Sequence, residues 1–336
     1  MAYTTIDDPE AHFQCVTYTG TGSSHAITLG GDTDLSPNLV WAKSRSNASS
    51  HTLCDSVRGA TKDLYSESTT EEATTAEGLK SFDSDGFTVG TDNGWNGSSR
   101  TFVAWCWKES SDCGFDIVLY TGNDSARTIS HSLSAVPHFM IVKNRSDVND
   151  DGAWQVYHKK NTDAPETDNL QLAISNPTED AAVIWNDTAP TSSVFSVGGH
   201  LTVNGDGNAM LAYLWSEKQG FSKFGTYIGN GNVDGSFVYT GFRPAWFMTK
   251  RTDSANSWVI FDNKRDPDNE VVNHFSADLA DANESGTSDS DVDFCSNGIK
   301  IREDNNGVNA SGGTYCYMAF AEQPFVNSNG VPCNAR

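Results

Sequence analysis

Acidic side chains at alternate positions are the first feature of this sequence that suggests chemistry. Asp289, Asp291 and Asp293 place three carboxylates on every second residue, and carboxylate oxygens are ligands that Ca²⁺ prefers. Three more aspartates crowd a nearby loop, Asp262, Asp266 and Asp268. The pattern favours a solvated acidic loop that serves solubility, with a calcium site at Asp289, Asp291 and Asp293 as the alternative.

Three lysines recur at one position of a repeated pattern. Each stands at the same interval after a proline and ends an apolar run: Lys43 after Pro37, Lys143 after Pro137, and Lys250 after Pro244. Arg45 and Arg145 follow the first two lysines at two residues, on the same side of an extended strand. Repetition favours a structural role in which each lysine pairs with a nearby acid such as Asp55 or Asp262. Contact with a ligand is the alternative.

Asparagine and tryptophan also recur at equivalent positions. Asn96, Asn204 and Asn309 precede a closing apolar run, where an asparagine most often holds a turn through its amide side chain. Five tryptophans lie in segments that align between copies: Trp41, Trp105, Trp154, Trp246 and Trp258. We expect these to form core rather than exposed platforms on which sugars stack.

Spacing alone identifies no catalytic group. The glycine-rich segments 20–24 and 229–235 lack the lysine of a phosphate-binding loop and open no helix. The eight histidines show neither His-x-Glu nor His-Glu-x-x-His spacing, so we expect no zinc site. A pair of glycosidase carboxylates stays open, because such groups meet only in space. The prediction is a protein that is not an enzyme.

Composition excludes further classes of function. The chain has 44 acidic and 22 basic residues, a formal net charge of −22 without any Lys/Arg cluster, and would repel a nucleic acid. No N-terminal export signal and no apolar run of the ~18 residues needed to cross a membrane are present. The seven cysteines lack CxxC spacing and predict mostly buried free thiols, with one or two disulfides such as Cys295–Cys316 as the alternative.

Three segments of about 100 residues can be laid over one another. Each opens on a Tyr-Thr-Gly or Tyr-Ile-Gly triplet, at Tyr18, Tyr120 and Tyr227, and continues with short runs rich in Val, Ile, Phe and Trp between Gly, Asn, Asp and Pro. Such runs predict an all-β protein of three tandem β-sandwich repeats. The expected boundaries are an arm at 1–12, repeats at 13–109, 114–217 and 220–325, and a tail at 326–336. Because the joints are short, we expect a fixed arrangement with one apolar seam through all three repeats.

The repeat pattern resembles that of virion structural proteins of marine bacteriophages, especially cyanophages. The segments that carry the resemblance include 222–231, 241–246 and 319–325, and it extends over the whole chain. It implies lectin- or jelly-roll-like sandwiches, a tail-fibre-like protein of the virion assembled in the host cytoplasm, and other virion proteins as partners. It carries no catalytic residues.

The leading hypothesis is therefore a tail-associated fibre or adhesin component, a homo-oligomer that binds host-surface glycan. A capsid decoration protein on the head exterior is the alternative, and a polysaccharide depolymerase is a more distant one. No cofactor is expected beyond calcium.

The N-terminal arm has its own expected role. Met1–His12 is polar, contains Pro9 and has no equivalent before the second or third repeat. We expect a docking segment for a neighbouring subunit or virion protein that the fold itself does not need, with a loose tail as the alternative.

Overall fold

Short antiparallel strands make up almost all of the regular structure. The computed structural model describes residues 4–146, 153–284 and 290–333. The all-β sandwich class predicted from the sequence is confirmed, and the strands group into three sandwiches, each with a large and a small sheet.

The first sandwich follows a 3-10 turn at Pro9–Ala11 and includes one helical turn, α1 (Asn93–Asn96). Its strands are β1 (Phe13–Thr19), β2 (His25–Ile27), β3 (Leu39–Ser44), β4 (Thr52–Asp55), β5 (Lys62–Tyr65), β6 (Ala73–Thr74), β7 (Leu79–Asp83), β8 (Gly86–Val89) and β9 (Thr101–Trp107). The large sheet has the order β1-β9-β3-β4-β5-β6 and the small sheet β2-β8-β7.

The second sandwich has the helical turns α2 (Ala182–Trp185) and α3 (Leu201–Asn204). Its strands are β10 (Phe115–Thr121), β11 (Arg127–Ser130), β12 (Phe139–Asn144), β13 (Trp154–His158), β14 (Asp168–Gln171), β15 (Glu179–Asp180), β16 (Val194–Val197) and β17 (Ala209–Trp215). The large sheet has the order β10-β17-β12-β13-β14-β15, and β11 pairs with β16.

The third sandwich completes the chain. Its strands are β18 (Ser222–Ile228), β19 (Phe237–Tyr239), β20 (Phe242–Arg251), β21 (Trp258–Asp262), β22 (Phe275–Ser276), β23 (Val292–Cys295), β24 (Gly298–Ile301) and β25 (Thr314–Pro324). The large sheet has the order β18-β25-β20-β21-β22 and the small sheet β19-β24-β23. The order of the first five strands of the large sheet is the same in all three sandwiches, whereas the sixth strand is described only in the first two and the small sheet of the second sandwich has two described strands instead of three.

The two kinds of sheet follow from two kinds of sequence pattern. The continuous runs in β3 and β12 have every residue buried, because one face of each large sheet packs on its own small sheet and the other on the neighbouring sandwiches. β8 and β24 alternate instead, since only one face of a small sheet is covered. At the start of β8, Gly86 has φ +106°, a conformation that favours glycine.

A central core joins the three sandwiches. Trp107 lies 6.4 Å from Trp215 and 5.7 Å from Phe320 between ring centroids, and these residues occupy equivalent positions near the ends of β9, β17 and β25. Each sandwich has a separate core between its own two sheets. The central core is the apolar seam expected from the short joints, and the five aligned tryptophans are buried as predicted.

The N-terminal segment is part of the fold, which corrects the expectation that the fold does not need it. Ile6 is buried in the central core, and the Thr4 hydroxyl donates to the Gln219 carbonyl at 2.9 Å. Pro9 is also buried. Burial of the Ile6 side chain between the first and third sandwiches stabilises the fold. The composition of the segment does not reveal this contact.

Two further expectations concern the state of the cysteines and the presence of membrane-spanning helices. All seven cysteines are free, and five of them, Cys15, Cys54, Cys106, Cys113 and Cys316, are buried, which confirms the prediction of mostly buried thiols. Within the described ranges, no helix is long and apolar enough to span a membrane.

Candidate functional site

A surface cleft lies where the joint between the second and third sandwiches meets the C-terminal segment. Its volume is 340 Å³. Its walls come from the joint at 217–220, the start of β18, the turn after β19 and the residues that follow β25. The lining residues are Glu217, Gln219, Gly220, Ser222, Lys223, Tyr239, Thr240, Gly241, Phe325 and Val326. We refer to it as the joint cleft.

Two exposed aromatic side chains form the apolar part of the joint cleft. Tyr239 is 60% exposed and Phe325 is 37% exposed. The Tyr239 ring lies beside Gly241, whose φ of +85° turns the chain sharply from β19 into β20. The Tyr239 backbone carbonyl accepts from the Tyr317 hydroxyl at 3.4 Å, which fixes the strand that carries the exposed ring.

A fixed ion pair forms the polar part of the joint cleft. Lys223 Nζ donates to Glu217 Oε1 at 2.7 Å, and the Phe224 amide donates to Glu217 Oε2 at 3.3 Å. Gln219 is exposed, and its backbone carbonyl is held by Thr4 while its side-chain amide makes no bond to any described residue. The joint therefore presents hydrogen-bonding groups from a braced backbone.

This arrangement suits a polyhydroxylated ligand. An aromatic face packs on the apolar face of a sugar ring, and a phenol, an amide and an ion pair around it bond to hydroxyls. Glu217 is the only carboxylate among the described residues that line the cleft. Glycoside hydrolysis normally uses two carboxylates, and the lining of the joint cleft supplies Glu217 alone.

A larger and more open groove lies between the second and third sandwiches. Its volume is 760 Å³, and it is bounded by residues 159–165 on one side and by the end of β18 on the other. Thr226 and Ile228 of β18 are exposed there. It has no exposed aromatic residue among its lining, so it offers less to a sugar than the joint cleft does.

The three recurring lysines lock neighbouring sandwiches together. All three are buried, and each ammonium donates to a backbone carbonyl of another sandwich: Lys43 to Ala280 at 3.1 Å, Lys143 to Thr69 at 3.0 Å, and Lys250 to Ser175 at 3.2 Å. The first lysine therefore bonds to the third sandwich, the second to the first, and the third to the second. We call this set the lysine ring.

A second donor strengthens each contact of the lysine ring. The residue paired with each lysine across the sheet also reaches the same neighbouring sandwich. Trp154 Nε1 donates to the Tyr65 carbonyl at 2.9 Å and Trp258 Nε1 to the Gln171 carbonyl at 2.8 Å. In the first sandwich His51 Nε2 lies 3.1 Å from the Ser276 carbonyl. The histidine thus replaces tryptophan as the donor.

The lysines do not pair with Asp55 or Asp262, which corrects the sequence-based interpretation. Each of these aspartates binds the arginine three residues on, with Asp55 Oδ2 at 2.5 Å from Arg58 Nε and Asp262 Oδ2 at 2.6 Å from Arg265 Nε. A tight turn after each strand brings the planar guanidinium back to the carboxylate, a geometry that the lysines at the opposite end of the hairpin cannot match.

Both aspartates also take part in contacts between sandwiches. Asp55 accepts from the Tyr213 hydroxyl at 2.7 Å, and Asp262 accepts from Trp105 Nε1 at 3.0 Å. The equivalent position of the second sandwich holds His158, whose Nε2 lies 3.1 Å from the Tyr317 carbonyl. These groups serve the same interfaces as the lysine ring.

Burial changes the titration of two members of the lysine ring. Desolvation lowers the pKa of Lys43 and of Lys250 to about 8, against a smaller opposing effect of Glu67 on Lys43 and of Cys316 on Lys250. The Lys43 and Lys250 ammonium groups donate to carbonyls, which stabilise a charge less than a carboxylate does. The bonds between sandwiches give the recurring lysines a structural role.

The three recurring asparagines have the role expected from the sequence. Each is fully buried, accepts one backbone N–H through Oδ1 and donates to backbone carbonyls through Nδ2. Asn204, for example, accepts from Asn123 N at 3.1 Å and donates to the carbonyls of Ser125 at 2.7 Å and Gly198 at 2.8 Å. Asn96 and Asn309 make the same set of bonds in their own sandwiches.

The predicted calcium ligands do not form a described cluster. Asp289 lies outside the described residues. Asp293 is ion-paired with Arg302, whose Nε donates at 2.5 Å, and Asp291 is buried. In the nearby loop Asp266 accepts from Val272 N and Asn273 N. Among the residues that the structure describes, no three His, Cys, Asp or Glu side chains are placed to hold a metal ion.

Sequence reasoning missed Tyr239 and Phe325 because it considered tryptophans as possible sugar platforms. One signal was present. Val238, Ile27 and Ile129 face equivalent partners across the small sheets, so Tyr239 aligns with Thr28 and Ser130. An aromatic residue at this outward position occurs in the third sandwich alone.

Comparisons with known proteins give one result. No curated protein and no solved structure matches the chain significantly. The profile of a family described as a domain of unknown function, DUF7483, matches residues 8–324, a range that includes all 25 strands of the described residues. The chain therefore belongs to the DUF7483 family.

Proposed function

We propose that this chain is a non-catalytic structural component of a bacteriophage virion, a tail-associated fibre or adhesin that binds carbohydrate on the host surface. The repeat pattern and its resemblance to phage virion proteins support the context. The observation that carries the binding role is the joint cleft, with Tyr239 and Phe325 exposed around the Glu217–Lys223 pair.

The scaffold supports an adhesin because it holds the joint cleft rigidly. The lysine ring, the Asp–Arg pairs and the central core fix the three sandwiches against one another. The cleft spans the joint between two sandwiches and the residues after β25. A site on a fixed frame loses little conformational entropy when it binds a ligand.

Carbohydrate binding is tested on an immobilised glycan panel followed by calorimetric titration. We expect saturable binding of at least one neutral glycan and a loss of roughly tenfold or more in affinity for Tyr239→Ser, since one stacking contact is removed. Val183→Thr is the matched control, because Val183 is an exposed aliphatic residue of the second sandwich. A folded protein that binds no member of the panel would disprove the adhesin role.

Placement on the particle and the absence of catalysis need separate measurements. Gold-labelled antibody against the chain should mark the tail in micrographs of phage particles. Labelling of the head would indicate a decoration protein instead, and unlabelled particles would exclude a virion component. Reducing-sugar release from host polysaccharide should stay at background, and release that depends on Glu217 would revive the depolymerase.

A further inference from the structure

We infer that the carbohydrate site extends beyond the joint cleft, across Tyr239 to Phe237, and takes a linear, uncharged oligosaccharide rather than a single sugar. This inference rests on the proposed function, since it names the ligand class and the extent of the same site. Four observations on the outer face of β19, β24 and β23 carry it.

The first observation is the placement of two exposed aromatic rings on one face. Phe237 and Tyr239 are alternate residues of β19 with Val238 buried between them, so both point outward. Phe237 is 48% exposed and Tyr239 is 60% exposed. Alternate residues of a strand stand about 7 Å apart. A ligand that stacks on both rings therefore spans at least two consecutive sugar units.

The second observation is that this pair has no counterpart in the other two sandwiches. The positions equivalent to Phe237 and Tyr239 hold Ala26 and Thr28 in the first sandwich. In the second they hold Thr128 and Ser130, and all four residues are exposed. The fold thus accepts small side chains here. Aromatic rings at this place in one sandwich alone serve something other than folding.

The third observation is the room that Gly298 leaves beside the rings. Tyr239 lies opposite Gly298 in the register of β19 and β24. The Phe237 ring comes so close to that glycine that a Cβ on Gly298 would stand 2.7 Å from a ring carbon. The missing side chain leaves space for the Phe237 side chain, which is 48% exposed and so open to a stacking partner.

The fourth observation is that the two basic side chains of β24 and its following residue, Lys300 and Arg302, are both ion-paired. Lys300, opposite Phe237, binds Asp234 with 2.6 Å between Nζ and Oδ1. Arg302 pairs with Asp293 on the neighbouring strand. Paired charges offer donors and acceptors to hydroxyl groups without a net field, and the chain as a whole carries −22. An uncharged polyhydroxyl ligand fits this rim, whereas an acidic polysaccharide would meet repulsion.

The test titrates the intact protein with oligomers of one, two and four units of glucose, mannose, galactose and N-acetylglucosamine. For at least one series we expect roughly tenfold tighter binding of the four-unit oligomer than of the single sugar. Phe237→Thr, which introduces the residue of the second sandwich, should remove most of this gain, whereas Val183→Thr on the second sandwich should leave it unchanged. Tyr239→Ser should weaken binding of both the single sugar and the four-unit oligomer. Melting temperatures should match that of the unchanged protein.

The outcomes separate the inference from the proposed function. Binding that does not depend on oligomer length, or a length gain that Phe237→Thr leaves intact, would overturn the extended site while the adhesin role stands. Preference for a uronic-acid or sulfated oligomer over its neutral counterpart would overturn the uncharged ligand. Failure of every sugar to bind would overturn both proposals.

Discussion

Asparagine and lysine recur at equivalent positions of the three sandwiches, and the chemistry of the side chain explains each recurrence only in part. Asn204 satisfies three backbone groups around one turn, and an amide is suited to that work because it donates and accepts at once. The recurrence of Lys43 was equally visible, yet its partners are the carbonyls of Ser49 and Ala280, which any residue type could supply. The sequence therefore shows that a side chain recurs, but it does not show which backbone groups that side chain binds.

His158 makes stability sensitive to acid. Its Nε2 faces the Tyr317 carbonyl, its Nδ1 accepts from Lys160 N at 3.0 Å, and burial lowers its pKa to about 4 from 6.5. Between pH 6.5 and 4 the His158 imidazole is protonated in the unfolded chain and neutral in the folded chain. The free energy of unfolding should therefore fall as pH falls through this window, with His158 contributing roughly 3 kcal/mol.

Chemical denaturation of His158→Gln across pH 4 to 7 checks this expectation. The variant keeps a side-chain donor and does not titrate, so its unfolding free energy should depend less steeply on pH. Equal slopes for the two proteins would contradict the assignment.

Lys43 should add to the free energy of unfolding in the alkaline part of the pH range. Its pKa is lowered to about 8 from 10.5, so the unfolded chain holds more protons between these values. The contribution of Lys43 to stability should rise as pH increases from 8 to 10.5. Lys43→Met should lose about 1–2 kcal/mol at pH 7, where two carbonyls lose their donor.

The difference in unfolding free energy between the unchanged protein and Lys43→Met should widen as pH rises from 8 to 10. Comparison at each pH cancels the opposing effect of the buried cysteines, whose pKa values burial raises. Lys80→Met, at an exposed position, should show a constant difference. A constant difference for Lys43→Met as well would reject the lowered pKa.

At the scale of elements, the joints protect the open edges of the large sheets. β10 and β18 are edge strands, and each exposes backbone groups on its outer side. Glu109 accepts from Ile117 N at 3.1 Å, and Glu217 accepts from Phe224 N at 3.3 Å, so the same position of each joint covers the strand that follows. In the third sandwich that glutamate also lines the joint cleft, which ties the candidate site to a structural element.

The N-terminal segment should behave as a core element. Ile6→Ala should destabilise the protein by about 2–4 kcal/mol, because it leaves a cavity in the central core between the first and third sandwiches. Val331→Ala, in the exposed C-terminal segment, should change the unfolding free energy by less than about 0.5 kcal/mol. Denaturant titration measures both, and a neutral Ile6→Ala would restore the view of a separate arm.

For the whole molecule, the sequence predicted the fold class and the positions of strands better than it predicted individual tertiary contacts. Apolar runs such as Phe139–Val142 predicted strands buried on both faces, and the short joints predicted a core shared by the three sandwiches. The Asp55–Arg58 pairs, the burial of Ile6 and the cleft beside Tyr239 stayed hidden, because each depends on residues brought together by the arrangement of sandwiches. Phe237 and Tyr239 also went unnoticed, because only alignment through the paired strands shows that they differ from Thr128 and Ser130.

The arrangement of the sandwiches predicts that the chain unfolds as one unit. The central core takes its side chains from all three sandwiches, so loss of one exposes the apolar faces of the other two. Calorimetry should show a single transition with equal calorimetric and van't Hoff enthalpies. Trp215→Ala, in the central core, and Phe195→Ala, in the core of the second sandwich, should each shift that whole transition to lower temperature. If Phe195→Ala instead splits off an early transition, the second sandwich melts by itself and the shared core does not enforce cooperativity.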